Sequence, residues 1–361
     1  MDTCCQWPIV SASSTSLRLC VKQENTHKIM TDPILSIVIA NYNYGRFLEA
    51  AIKSVVEQDG FGKCELIVVD GGSTDNSVEV IKKYANGLPP NTRYEEFKVQ
   101  SLEFRVQGEG GEVQSSSFKV QSGSDANSKL QTSNFKLQTP NSKLISWWCS
   151  EKDKGQSDAF NKGFAHARGK YLTWVNADDI MPAGCLKKIV REFERHPDCE
   201  WFTGNFYRFT EDGEVIEVAW GPHSLPKWLQ TNGQPLAIYG PATFFTKELF
   251  DRVGGMKLYQ NFMMDTDLWM RFIANGTKQR RINCFCWAFR MHEASKTAEF
   301  GEHKLPPEQR AKFEAERKRA YEETGYRENG FNRRLIQFWR LLDGSFVRML
   351  WLKKCFRSVD S

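Results

Sequence analysis

The chain has 361 residues, enough for one large domain with additions or for two domains. Hydrophobic residues make up 40% and aromatics 13%, so a substantial core can be buried, while a net charge of +5 is informative only where it clusters. Ten cysteines without zinc-like spacing fit a reduced, cytosolic compartment, and no apolar run approaches the length needed to cross a bilayer.

Residues 1–29 lack a basic start followed by an apolar core, so they do not read as a signal peptide. They are expected to form a disordered extension, with Met30 as the natural start just before the first strand. Ile34–Ala40 is continuously apolar, as a strand buried on both faces should be. A helix should follow, with Phe47, Leu48, Ala51, Ile52, Val55 and Val56 on one stripe. Glu65–Asp70 reads as a second buried strand, and Gly71-Gly72 as its turn. Asn76 with Glu79 resembles a capping box for a helix through Tyr84.

Residues 88–143 interrupt this pattern. Phe97-Lys98-Val99-Gln100 recurs seven residues on as Phe104-Arg105-Val106-Gln107, again as Phe118-Lys119-Val120-Gln121, and out of register as Phe135-Lys136-Leu137-Gln138. The apolar positions are two apart, so this is no coiled coil. It reads as a low-complexity insertion, looped out and mostly disordered. Lengthening a loop from about five to about fifty residues costs roughly 2 kcal/mol of closure entropy, which a fold can survive.

Alternation then resumes: a strand at Leu144–Cys149, a helix at Ser157–Ala167, and a strand from Lys170 that ends at Asp178-Asp179. A helix is expected at Cys185–Arg195, strands at Trp201–Phe209 and Val215–Trp220, and helices at Asp267–Ala274 and Glu308–Glu323. Such alternation argues for a mostly parallel sheet with helices on both faces, and in such sheets ligands bind beyond the carboxyl ends of the strands. Residues 333–357 place Leu335, Phe338, Trp339, Leu342, Phe346, Met349 and Leu350 opposite Arg333, Arg334, Arg340 and Arg348. A basic amphipathic helix of this kind can lie in an anionic membrane surface or dock on the core with its basic face solvated.

Four places carry candidate chemistry. Asp178 and Asp179 end a buried strand and form a hard-oxygen pair suited to a divalent cation; the plainer alternative is an N-cap for the next helix. Asp70 ends another strand, where a carboxylate can accept hydrogen bonds from a base or ribose, or serve the turn. Asp265 precedes an apolar helix, either as its cap or as a general base for an acceptor hydroxyl. His292, in Phe289-Arg290-Met291-His292, could be a metal ligand, a phosphate contact or a structural residue.

Taken together these segments resemble one family. Leu35–Asp59, IVVDGGSTDNS, Asp153–Gly169, Tyr171–Gly184, DTDLWMR and FRMH occur in an order and at distances similar to the family 2 inverting glycosyltransferases of the GT-A fold. With the insertion set aside, the resemblance covers roughly residues 33–300. It implies an α/β fold with a mostly parallel central sheet and helices on both faces. The glycosyltransferase domain would then span 30–300, with a helical tail at 301–361.

The resemblance also implies roles. Asn41 and Tyr42 would border the nucleobase and Asp70 would bind it. Lys154, Gln156 and Asp158 would line the donor site, and Asp178 would hold the ribose. Asp179 would coordinate Mg²⁺ or Mn²⁺ on the diphosphate, His292 would assist, and Asp265 would be the catalytic base. Trp201, Trp220 and Trp228 are expected to shape the acceptor pocket. Met264 stands where the family often has Glu, and no Gln-x-x-Arg-Trp motif of processive members is present. The implied activity is transfer of one sugar from a nucleotide-sugar, UDP by family habit, to a glycan or lipid-linked acceptor. The setting would be cell-surface polysaccharide synthesis, in the cytoplasm or on the inner face of the cell membrane. The alternative is a nucleotide-sugar-binding protein without turnover. Nucleic acid is not expected as a partner, because the aromatics of the tail face away from its charges. No GxGxxG follows the first strand, which argues against a dinucleotide oxidoreductase.

Overall fold

The structure, a computed structural model, describes residues 32–86, 101–104, 116–118, 144–221, 240–293 and 306–327, with Phe331, Arg334, Leu335 and Phe338. The expected extension at 1–29, most of the 88–143 insertion, Trp228 and most of the 333–357 tail lie outside the described residues.

Strands β1 (Leu35–Asn41) and β2 (Cys64–Asp70) are each buried almost throughout. Their alternate residues feed two different cores. Ile37, Ile39, Leu66 and Val68 join the cluster on one face, while Val38, Ile67 and Val69 join the other. This explains why both strands read as unbroken apolar runs. Helices α1 (Gly45–Val56) and α2 (Ser77–Ala85) cover the first face. The insertion contributes a separate two-stranded antiparallel ladder of β3 (Ser101–Phe104) and β4 (Ser116–Phe118).

The sheet continues with β5 (Trp147–Ser150), α3 (Gln156–Ala165), β6 (Tyr171–Asn176), α4 (Cys185–Arg195), β7 (Trp201–Thr210) and β8 (Val215–Ala219). Then come β9 (Thr243–Thr246), α5 (Lys247–Arg252), α6 (Met264–Ala274), β10 (Arg280–Met291) and α7 (Pro307–Thr324). The main sheet runs β10-β7-β9-β6-β1-β2-β5, with β8 beside β7. Pairings β6–β1, β1–β2, β2–β5 and β7–β10 are parallel, whereas β9 is antiparallel to both β6 and β7. A reversed strand between two others leaves those two running the same way. So β5, β2, β1, β6, β7 and β10 all point their carboxyl ends to one edge.

Two local expectations are corrected. Asn76 stands at the N-cap of α2, but its side chain makes no cap hydrogen bond. Asp75 takes that place: its Oδ1 accepts from the Ser77 N–H at 3.0 Å, and its Oδ2 accepts from the Gly45 N–H at 2.8 Å. One carboxylate thereby satisfies donors at the starts of two helices, which a neutral amide does less well. Trp201 does not line a pocket. It is 0% exposed, with its ring stacked 5.8 Å from Trp269, because β7 buries it in the second core.

Among the described residues no helix is long and apolar enough to cross a membrane. In the tail, Leu335 packs against the second core, whereas Phe338 is 56% exposed, so the two do not share one buried stripe.

Candidate active site

The carboxyl edge of the sheet gathers residues that lie far apart in the chain. Asn41 pairs in register with Asp70, and its neighbour Ala40 pairs with Asn176. Asp70 pairs on its other side with Ser150.

Asp70 is 0% exposed. Its Oδ1 accepts from Asn41 Nδ2 at 2.7 Å and Ser73 Oγ at 2.5 Å; its Oδ2 accepts from the Ser73 N–H at 3.0 Å and Ser150 Oγ at 2.6 Å. Burial opposes ionisation here. The donors from Ser150, Ser73 and Asn41 outweigh it and hold the carboxyl below the usual aspartate range. A carboxylate offers about four acceptor positions, and four internal donors occupy them here. Asp70 locks the ends of β1, β2 and β5 together and aims Asn41, whose buried Oδ1 has no partner. Tyr42 beside it is 60% exposed.

The Asp153–Asp158 segment faces this edge. A Cβ on Gly71 would come within 2.7 Å of Asp153 Oδ2 and 3.3 Å of the Tyr42 ring, so a side chain there would displace Asp153. Gly155 holds φ +108°, with its N–H donating to Asp153 Oδ1 at 2.8 Å. The Lys154 N–H donates to Asp158 Oδ2 at 3.0 Å, which leaves the Lys154 side chain exposed. Gln156 Nε2 reaches Asn176 Oδ1 at 3.0 Å and so ties this loop to the end of β6.

Neither Asp178 nor Asp179 caps the next helix, since α4 begins at Cys185 with Gly184 before it. Asp179, expected to face a cation, is 0% exposed. It accepts from Trp287 Nε1 at 2.9 Å, Asn176 Nδ2 at 2.7 Å and the Arg290 N–H at 3.0 Å. Burial and the charge of Asp178 push its carboxyl upward against these donors. The Asp178 side chain is 13% exposed, with its Oδ2 lying 3.0 Å from His292 Nε2. The His292 ring is held by Phe47 at 4.8 Å and Tyr44 at 5.6 Å between centroids. The Arg290 guanidinium lies between the Phe47 and Phe209 rings, at 5.1 and 4.8 Å, and its Nε donates to the Asp178 carbonyl at 2.9 Å.

β10 makes this possible. Its ladder with β7 shifts register between Arg281 and Phe285 and again between Phe285 and Trp287. Such irregularities re-aim side chains near sites, and here Trp287, Arg290 and His292 all turn toward the acidic pair. The sequence singled out only His292. Asn176 stood at the strand end and could have been flagged, whereas nothing local marked Trp287 or Ser150.

Asp265 sits in the first turn of α6. Its Oδ1 accepts from the Thr266 N–H at 2.7 Å, and the Gly240 backbone approaches Oδ2. Burial pushes its carboxyl above the ordinary range. The Cβ position of Gly240 lies 3.1 Å from the Trp174 ring, itself stacked 5.7 Å from Trp269, and 3.3 Å from Asp265 Oδ2. Ser157, at the start of α3, donates from Oγ to the Gln260 carbonyl at 3.0 Å and contacts Sδ of Met264, the residue before Asp265, at 3.7 Å. Hydrogen bonds thus link Gln156 to Asn176 and Asn176 to Asp179, while Ser157 reaches Met264, the residue before Asp265.

Among the described residues no group of three or more His, Cys, Asp or Glu side chains could enclose a cation. Asp178 and His292 offer one oxygen and one nitrogen. A two-donor site fits Mg²⁺ or Mn²⁺ when a substrate's phosphates and water complete the shell.

A mostly parallel α/β sheet with two reversed strands, β8 and β9, and an acidic pair at its carboxyl edge defines a nucleotide-sugar transferase fold of the GT-A type. The profile of Glycosyl transferase family 2 matches residues 36–105 and 120–264, and the chain belongs to that family. The match stops just before Asp265, so Asp265 and His292 lie beyond it. An uncharacterized glycosyltransferase of Nostoc sp. is 28% identical over 160 residues, 44% of this chain and 33% of its own length. The minor teichoic acid biosynthesis protein GgaB of Bacillus subtilis is 24% identical over 162 residues, 45% of this chain and 12% of its own length. The chain thus spans a third or less of these two relatives. The S. aureus TarS structure in complex with UDP-GlcNAc is 13% identical with a TM-score of 0.47, covering 76% of this chain and 63% of that one.

Proposed function

We propose that this protein transfers one sugar from a nucleotide-sugar, most simply a UDP-sugar, to a hydroxyl of a glycan or lipid-linked acceptor, with inversion and with Mg²⁺ or Mn²⁺. The observation that carries the reading is the largely buried Asp178–His292 pair beside Asp179, which Asn176 links to Gln156, while Ser157 contacts Met264 next to Asp265. Family membership and a teichoic-acid-linked relative support a role in polysaccharide synthesis.

Asp178 and His292 would hold the cation, which when bound offsets charge on the departing diphosphate. Asp179 would then be a support, fixing the loop that presents Asp178. Asn41 and Tyr42 border the base side, with Asp70 fixing Asn41. Lys154, whose side chain is exposed, would offer a cation to the donor. The anomeric carbon becomes electron-poor as the leaving group departs. Asp265 accepts the proton of the acceptor hydroxyl as that oxygen attacks from the opposite face. Neighbouring carboxylates such as Asp178 and Asp179 cannot flank one bond, so glycosidase chemistry does not fit.

The test is donor hydrolysis across a panel of nucleotide-sugars with Mn²⁺, in wild type and Asp265→Asn. Turnover lost in the variant, with nucleotide binding kept, supports a transferase. Equal rates in both would leave a binding protein as the better reading.

A further inference from the structure

The buried carboxylate of Glu316 lies on α7, outside the residues matched to the family and unused by the mechanism above. It is 8% exposed on a helix that is otherwise mostly solvated. Its Oε2 accepts the backbone N–H groups of Asn261 at 3.0 Å and Phe262 at 2.9 Å, and its Oε1 accepts from Asn261 Nδ2 at 3.3 Å.

These N–H groups precede α6, whose N-cap residue Met263 offers no side-chain cap. Glu316 thus serves the approach to that helix start from a different element, with a charge favourable near a helix N-terminus. Further contacts hold the same turn. Gln260 Nε2 donates to the Glu316 carbonyl at 3.4 Å, and Tyr259 Oη donates to Glu323 at 2.8 Å beneath the Arg319 guanidinium. Ala320 and Tyr326 pack on Met270 of α6.

The turn has two other neighbours. Asn261 Oδ1 is the nearest atom to the Cβ position of Gly155 in the donor loop, at 3.8 Å. The Gln260 carbonyl accepts from Ser157. Asp265 follows three residues after Phe262.

We infer that Glu316 is a positioning residue: it fixes the 259–263 turn that sets Asp265 against the donor loop. This rests on the reading of Asp265 as the base. Displacement of a reacting group by about 1 Å can cost about a hundredfold in rate, which is the scale expected if the turn loosens.

The experiment compares full-length wild type, Glu316→Ala, Glu316→Gln and a surface control, Glu322→Ala. Hydrogen exchange is the first readout. In Glu316→Ala, exchange in peptides spanning 259–266 and 153–158 should rise about tenfold or more, with β1 and β2 unchanged. Glu316→Gln keeps an acceptor and should lie between, and the control should match wild type. The second readout is hydrolysis of UDP-sugars with Mn²⁺, together with UDP titration. In Glu316→Ala, kcat should fall about 10–100-fold while the UDP Kd stays within about threefold. Unchanged exchange at 259–266, or a uniform rise that includes the sheet, overturns the inference. So does loosened exchange with unchanged kcat. Absence of wild-type turnover with every donor would instead overturn the sugar-transfer reading, and with it any role of Glu316 in the chemistry.

Discussion

Asp178 and Asp179 are covalent neighbours with opposite surroundings. The Asp178 side chain is 13% exposed and lies against His292, whereas Asp179 is closed off by Trp287, Asn176 and the backbone of Arg290. Removing each should therefore fail differently. Asp179→Ala strands three buried donors and should cost about 2–4 kcal/mol of stability. Asp178→Ala removes one hydrogen bond, to the His292 ring, and should cost about 1–2 kcal/mol, less than Asp179→Ala, yet abolish Mn²⁺-dependent strengthening of UDP binding. Urea denaturation and UDP titration with and without Mn²⁺ check both. A stable Asp179→Ala that has lost the metal effect would restore Asp179 as the ligand.

Asp265 should show a trade between stability and chemistry. Its folded-state pKa is raised, so its contribution favours folding at low pH and is lost as pH rises through that value. At neutral pH the ionised group is therefore a burden on the fold. Asp265→Asn should melt at or above the wild-type temperature while turnover falls about 10²–10⁴-fold. A base works only when ionised, so kcat/KM should decline on acidification at a pH above the ordinary aspartate range, near 4. A profile flat down to about pH 4 would count against this assignment.

Asp70 has the reverse sign. Its folded-state pKa is lowered, so the stability it provides is present above the usual carboxylate range and disappears as pH falls through the folded value. Asp70→Asn turns one acceptor oxygen into a donor facing Ser73 or Ser150 hydroxyls and should cost about 2–3 kcal/mol at pH 7. The gap from wild type should narrow as pH is lowered through the carboxylate range. Chemical denaturation at several pH values measures it. A constant gap would mean that the loss is one of shape rather than charge.

The parallel core and the edge that carries the site were legible because strands buried on both faces must be apolar without interruption. Ile37 and Val38 feed opposite cores, and no polar residue could alternate between them. The acidic pair was legible as the end of such a run. Which carboxylate turns outward was not, because that depends on Trp287 and Arg290 in β10, 108 or more residues away and set by a register shift. The helix cap at α2 was misread because Asp75 and Asn76 are both good caps, and only the tertiary approach of Gly45 favours the charged one. Trp201 was misread because an aromatic looks the same in a core as in a pocket. Glu316 left no local signal: on a highly charged helix, one carboxylate aimed inward is indistinguishable from its neighbours.

Gly163 gives a test of how closely α3 is seated on β1. A Cβ there would lie 2.4 Å from Val38 Cγ1 and 3.0 Å from Cγ2, well inside contact distance. In a solvent-facing helix, Gly→Ala gains about 0.5–1 kcal/mol from backbone entropy and propensity. Forcing a methyl into a packed core costs about 1–3 kcal/mol, and Val38 is 0% exposed with no room to turn away. The second effect should win, leaving Gly163→Ala less stable by about 1–2 kcal/mol. Combined with Val38→Ala, the added methyl should be accommodated, so the double variant should be more stable than the sum of the single losses predicts. Because α3 carries Gln156 and Ser157 at its start, the single variant should also weaken the link from the donor loop to Asn176 and Gln260. Urea denaturation of the four proteins decides it. A stabilised Gly163→Ala, or strict additivity with Val38→Ala, would show that helix and strand stand further apart than their contacts indicate.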